Sequence, residues 1–147
     1  MRTLSNSLFG TLALIAACLA SPSSARAQDY FSLLDVRYEV GIKKSFLGGP
    51  YRGKSHCDKV NQNTWDHIQP VCGKCTKETQ ACAPWSELDG PLLAAMQNRT
   101  TTMIYVDAMP KSRIILSGAS RDTLIQECET SAKLFREAGY STARCVK

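Results

Sequence analysis

Two cysteines form the motif with the clearest chemical potential, the C-x-x-C of Cys72-Gly73-Lys74-Cys75. In a thioredoxin-like domain this motif lies at a helix N-terminus, which lowers the pKa of the first thiol so that its thiolate attacks a substrate disulfide. Here Pro70 stands two positions before Cys72, and no run of β-forming residues precedes the motif. We therefore favour a structural disulfide and keep thiol–disulfide exchange at Cys72 and Cys75 as an alternative.

The remaining cysteines support the structural interpretation. Apart from Cys18, the chain carries Cys57, Cys72, Cys75, Cys82, Cys128 and Cys145. An even number of cysteines in an exported chain indicates a disulfide framework. Cys128 lies in a predicted helix and Cys145 on a predicted terminal strand, far from the other four, so we favour a Cys128–Cys145 bridge. The pairing among the other four stays open.

Four of these cysteines and both histidines are also potential metal ligands: His56, Cys57, His67, Cys72, Cys75 and Cys82. Zinc sites need thiolates, whereas an oxidising compartment favours disulfides, and the chain has no second C-x₂-C or H-x₃₋₅-H. C-type haem requires a histidine after the second cysteine, and Thr76 stands there. We predict no metal and no cofactor.

Residues 48–55 (GGPYRGKS) match the G-x-x-x-x-G-K-[ST] pattern of a phosphate-binding loop. That loop needs a buried strand before it and a helix after it, and residues 42–47 (IKKSFL) make a poor buried strand. An export signal also directs the chain to a compartment without ATP. We interpret the segment as a glycine-rich basic loop and predict no nucleotide as ligand.

Basic residues cluster around the same segment, at Lys43, Lys44, Arg52, Lys54 and Lys59, with Asp58 as the only acid among them. Such a patch is a candidate surface for an anionic partner, such as an envelope component or an acidic protein. The formal net charge of the full chain is +5, and it falls to +3 without Arg2 and Arg26 of residues 1–27. This mild excess does not indicate nucleic-acid binding.

Hydrolytic chemistry finds little support. His56 and His67 are the only histidines, and Asp58, Asp66 and Asp89 are candidate orienting groups, but no spacing ties any acid to a histidine. The chain also lacks the G-x-S-x-G pattern of many hydrolases. We assign no catalytic residue, and enzymatic activity stays uncertain and disfavoured.

The first 27 residues resemble a secretory signal peptide. Arg2 is followed by an apolar run over residues 8–20, shorter than the roughly 20 residues that a membrane-spanning helix needs. Ala25-Arg26-Ala27 fits the A-x-A cleavage pattern, so we expect cleavage after Ala27. Ile15-Ala16-Ala17-Cys18 alternatively resembles a lipobox, which would lipidate Cys18 and anchor the protein in the bacterial envelope. Either route predicts a periplasmic or secreted location, with membrane attachment only through Cys18.

The elements of the mature N-terminal half are only partly defined by sequence. Residues 30–40 fit a helix and a strand equally, and residues 41–56 predict a loop or hairpin because they contain four glycines and a proline. Residues 57–70 predict a short helix that Pro70 ends. Residues 71–83 predict a cysteine-dense loop.

The second half is clearer. A short helix is predicted within residues 84–98, and a β-hairpin over residues 101–107 and 113–117 with a five-residue connection. Residues 121–138 predict the best helix, capped by Ser120 or Asp122 and ended at Gly139. Its apolar stripe consists of Leu124, Ile125, Cys128, Ala132 and Phe135. A short strand, residues 140–146, completes a β-β-α-β unit, and the sequence has no internal repeat.

These observations predict an α+β fold: one small disulfide-stapled domain over residues 28–147, with a cysteine-rich loop region before a C-terminal β-β-α-β unit. The leading functional hypothesis is an exported, non-enzymatic protein that binds another macromolecule, either a protein or an anionic envelope component. The alternatives are a periplasmic redox protein that uses Cys72 and Cys75, and a lipoprotein subunit of an envelope complex attached through Cys18.

Overall fold

The protein folds into a six-stranded sheet with three α-helices in a computed structural model that describes residues 28–97, 99 and 102–147. The strands are β1 Asp29–Tyr38, β2 Lys43–Arg52, β3 Cys75–Pro84, β4 Ile104–Met109, β5 Ser112–Ser117 and β6 Arg144–Val146. The helices are α1 Lys54–Ile68, α2 Gly90–Met96 and α3 Arg121–Glu137, and a short 3₁₀ helix covers Trp85–Glu87. The predicted leader and Cys18 lie outside the described residues.

All strand pairs are antiparallel, in the spatial order β3-β1-β2-β5-β4-β6. Three disulfides join Cys57 to Cys82, Cys72 to Cys75 and Cys128 to Cys145. The predicted α+β class and the predicted disulfide framework are therefore confirmed.

The strand order reveals a repeat of topology that the sequence does not show. β1, β2, α1 and β3 form one half, and β4, β5, α3 and β6 form the other, with β2 and β5 paired at the centre of the sheet. Each half carries one disulfide from its helix to its last strand, Cys57–Cys82 in the first and Cys128–Cys145 in the second. The two halves therefore share one architecture without sharing a sequence.

Each face of the sheet has its own apolar cluster, because consecutive strand residues point to opposite faces. Val106 and Ile114 pack with Leu124 and Ala132 of α3 on one face. Tyr105 and Ile115 belong to the cluster on the other face, where α2 and the 3₁₀ helix supply the cover. On that second face the rings of Phe31 and Trp85 lie 4.6 Å apart.

Helix α3 shows how local sequence sets an element. Its buried positions Leu124, Cys128 and Ala132 recur at four-residue spacing, so they lie on one side of the helix. Ser120 caps the start by accepting a hydrogen bond from the Thr123 backbone N–H at 3.3 Å, and Gly139 follows the end with φ of 99°. The cap is thus Ser120 rather than Asp122.

The structure corrects the predictions for two loops, and for residues 41–56 it favours the hairpin alternative, since β1 and β2 form an antiparallel hairpin. Most of residues 41–56 form β2, and most of residues 71–83 form β3, which pairs with β1 along its length. The residues of β3 are mostly polar because the strand lies at the sheet edge, where side chains remain solvated, and this hid the strand from the sequence pattern. The connection between β4 and β5 is Pro110-Lys111, two residues rather than five.

Candidate functional site

A groove opens between α1 and α3 above the centre of the sheet. Helix α1 packs on β1, β2 and β3, and α3 packs on β4, β5 and β6, so neither helix fully covers the seam between β2 and β5. The resulting cavity has a volume of about 730 Å³. This size lies within the range of ligand-binding clefts, about 300–1,000 Å³.

Strands β2 and β5 supply the floor of the groove through Phe46, Gly48 and Ile114. A Cβ atom at Gly48 would lie 2.8 Å from the Tyr51 hydroxyl oxygen and 3.2 Å from the Ser32 hydroxyl oxygen. A side chain at position 48 would therefore displace Tyr51, which also lines the groove. The glycine that resembled part of a phosphate-binding loop instead keeps the floor open.

The α1 wall carries polar groups that are largely engaged within the protein. Asn61 is buried and donates from its side-chain amide to the carbonyls of Leu33 and Ala81, at 3.1 and 2.9 Å. The Thr64 hydroxyl donates to the Val60 carbonyl, and His67 Nδ1 lies 2.7 Å from the Asn63 carbonyl.

The α3 wall is aromatic. The rings of Phe135 and Tyr140 meet edge to face with centroids 5.9 Å apart, and both residues line the groove. Tyr140 is 44% exposed, and Leu134 on the last turn of α3 is 59% exposed. Tyr140 thus leaves apolar surface accessible in the groove, which is typical of interaction surfaces, whereas Leu134 does not belong to the lining.

Among the residues that the structure describes, the groove lining contains no carboxylate. Apart from two tyrosines, its ionisable residues are His67 and Lys111. Lys111 occupies the tight turn between β4 and β5 with φ of 66°, a left-handed conformation that favours glycine or asparagine. The Gly49 N–H donates to the Lys111 carbonyl at 3.1 Å, which ties this turn to the end of β2.

Beside α3, Lys44 pairs with Glu127 and lies 5.0 Å from the centre of the Tyr38 ring. Burial, with a smaller contribution from the charge of Glu127, raises the pKa of the Tyr38 hydroxyl above its ordinary value. This cluster holds α3 against β1 and β2.

The five basic residues that sequence grouped together do not form one surface. Lys43 and Lys44 are consecutive in β2 and therefore point to opposite faces of the sheet. Lys43 pairs with Asp35 at 2.7 Å. Lys54 pairs with Asp58 at 2.8 Å on the first turns of α1. Arg52 and Lys59 remain exposed.

The Cys72–Cys75 disulfide lies after the C-terminal end of α1, which closes at Gln69. The C-terminal end of a helix carries partial negative charge and therefore disfavours a thiolate, unlike the N-terminal position of thioredoxin-like motifs. Lys74, between the two cysteines, pairs with Glu39 at 3.1 Å. Cys82, the third nearby cysteine, is bonded to Cys57.

The phosphate-loop and hydrolase patterns are not assembled either. Residues 48–52 belong to β2 and pair with β1 and β5, so their backbone N–H groups do not form a phosphate-binding loop. Three acids have other partners: Asp58 binds Lys54, Asp66 accepts from Gln62, and Asp89 caps α2. Within the described residues, no three His, Cys, Asp or Glu side chains gather as a metal site.

Comparison of the chain with protein-family models, with curated proteins and with solved structures finds no match. Among the residues that the structure describes, none of the helices has the length and apolar character needed to cross a membrane. The groove itself is not evident from the sequence, because its floor and walls combine β2 and α1 of the first half with β5 and α3 of the second. In the sequence, Phe46 and Tyr51 are recognisable only as aromatic residues within the basic segment from Lys43 to Lys59.

Proposed function

We propose that the protein is an exported, periplasmic or secreted, non-enzymatic protein that binds another macromolecule in the groove between α1 and α3. The groove is the observation that carries this proposal. Its floor and α3 wall are apolar, and the half-exposed Tyr140 presents further apolar area in its lining. Accessible apolar surface of this kind is costly in water unless a partner covers it.

The proposal treats residues 28–147 as one domain, in which a C-terminal β-β-α-β unit follows the cysteine-rich residues 57–82. Three disulfides suit an oxidising compartment outside the cytoplasm. A cut after Ala27 would release this domain, whereas lipidation of Cys18 would make it the accessory subunit of an envelope complex. The mass of the protein purified from its host distinguishes an N-terminal Gln28 from a lipidated Cys18.

Photo-cross-linking in the native host tests the binding function. A benzoylphenylalanine at Tyr140 should give discrete cross-linked products, because this side chain borders the groove. The matched control places the same group at Gln126, which is exposed on α3 and outside the groove lining. Thr64→Trp, which fills the groove from the α1 wall, should remove the Tyr140 products. Equal products from both positions, or none from either, would exclude the groove as the binding surface.

The Cys72–Cys75 bridge supports thiol–disulfide exchange as a second candidate. It joins residues only three apart, so it constrains less of the unfolded chain than the other two bridges. Both cysteines are also half-buried and therefore accessible. Its position after a helix C-terminus argues against a reactive thiolate. Titration with a dithiol buffer followed by alkylation and mass spectrometry decides between the roles. Selective reduction of this bridge at a mild potential would favour the redox function.

A further inference from the structure

The charge of the groove identifies what its occupant must carry. Lys111 lines one end, and no Asp or Glu lies among the lining residues. Within the described part of the chain, the Lys111 ammonium has no carboxylate partner, whereas Lys43, Lys44, Lys54 and Lys74 each have one. An apolar site with a single unpaired cation complements a ligand that is apolar and bears one negative group.

The dimensions of the α1 wall indicate the length of that ligand. The groove residues of α1 extend from Val60 to Ile68, which corresponds to about 12 Å at a rise of 1.5 Å per residue. An extended peptide advances about 3.3 Å per residue, so this wall accommodates about four residues.

The polar groups of the wall favour a peptide over an acyl chain. Asn63 of α1 and Ser112 of β5 place an amide and a hydroxyl group along the lining, whereas the Thr64 hydroxyl and His67 Nδ1 already bond within α1. A peptide backbone can satisfy such groups with its own N–H and C=O, whereas a hydrocarbon chain would leave them without partners. The combination of aromatic wall, polar wall and terminal cation therefore matches a short peptide segment.

We infer that the groove takes an extended segment of a partner protein, about four residues long, with apolar side chains on Phe46 and Phe135 and a carboxylate paired with Lys111. This inference rests on the proposed binding function and adds the chemistry of the partner. The hydrogen bond from the Gly49 N–H to the Lys111 carbonyl fixes the backbone of this lysine beside the groove.

Peptide selection tests this inference. Short random peptides displayed on phage are selected against protein purified from the periplasm of cells that express the full chain. Peptides retained by the protein and lost with Thr64→Trp should be enriched in apolar residues and should share one Asp, Glu or free C-terminal carboxylate. Lys111→Glu should weaken such a peptide about tenfold, because it replaces attraction by repulsion.

Two further variants sharpen the result. Replacing the acidic residue of the selected peptide by lysine should restore its binding to Lys111→Glu. Arg121→Glu is the matched control, since it reverses the charge of an exposed residue outside the groove and should leave binding unchanged.

The remaining outcomes separate the two proposals. Groove-dependent peptides without acid enrichment, or without sensitivity to Lys111→Glu, would overturn the inference and leave the binding function standing. Laurate binding or self-association that Thr64→Trp abolishes, with no groove-dependent peptide selected, would also overturn it. Cross-links at Tyr140 would still report on the function itself, so a failed peptide selection and a failed binding function remain distinguishable.

Discussion

The two halves of the sheet hold their helices by different means. In the second half, α3 buries Leu124, Cys128 and Ala132 in an apolar cluster. In the first half, the buried residues of α1 are Cys57 and Asn61, so a hydrogen-bonding amide stands where α3 has apolar side chains. Both helices carry a disulfide to the last strand of their half, and the comparison shows that the remaining attachment can be either apolar or polar.

The largest expected effect comes from the two helix-to-strand bridges. Cys57→Ala with Cys82→Ala, and Cys128→Ala with Cys145→Ala, should each lower the free energy of unfolding by about 3 kcal/mol, since both close long loops. The halves should differ in local opening. Without Cys57–Cys82, backbone amides of α1 should exchange hydrogen rapidly, whereas α3 without its bridge should stay protected by Leu124 and Ala132.

Hydrogen-exchange mass spectrometry measures this difference directly. Faster exchange in α3 than in α1, each measured in the variant that lacks its own bridge, would contradict the stronger apolar attachment of α3.

A smaller effect is expected at the amide that anchors α1. Asn61→Ala removes hydrogen bonds to the carbonyls of Leu33 and Ala81 and should cost about 2 kcal/mol. Lys59→Ala, on an exposed residue of the same helix, serves as the control and should change stability by less than about 0.5 kcal/mol. Urea denaturation gives both values, and equal losses would mean that Asn61 does not anchor the helix.

The smallest effect concerns alkaline stability at the contact between the halves. The raised pKa of Tyr38 means that the folded protein keeps the phenol protonated at pH values where the unfolded chain has lost the proton. The stability that this shift contributes is complete below the unfolded pKa of about 10. It is lost as the pH rises through the higher folded pKa. Tyr38→Phe should therefore flatten the fall in melting temperature above about pH 10.

Thermal unfolding across that range provides the measurement. The wild type and Tyr38→Phe should lose stability in parallel below the unfolded pKa and diverge above it. Curves that remain parallel throughout would show that Tyr38 does not contribute to the alkaline transition.

Helix α3 was predictable because its start, its stripe and its stop are all local: Ser120, the apolar repeat from Leu124, and Gly139. Strand β3 was not, since its polar edge residues carry no alternation of apolar side chains. The disulfide framework followed from counting cysteines. The groove could not be derived, because it depends on β2 pairing with β5 and on α1 and α3 lying on the same face of the sheet.

The helix-to-strand bridges also bear on how the protein behaves at high concentration. β3 and β6 are the two edges of the sheet, and Cys82 and Cys145 tie each of them to the helix of its own half. An edge strand that could peel away would offer its free backbone to another molecule and nucleate aggregates or strand exchange. Because each edge strand is bonded covalently to the helix of its own half, exchange of either strand by itself between molecules first requires a reductant.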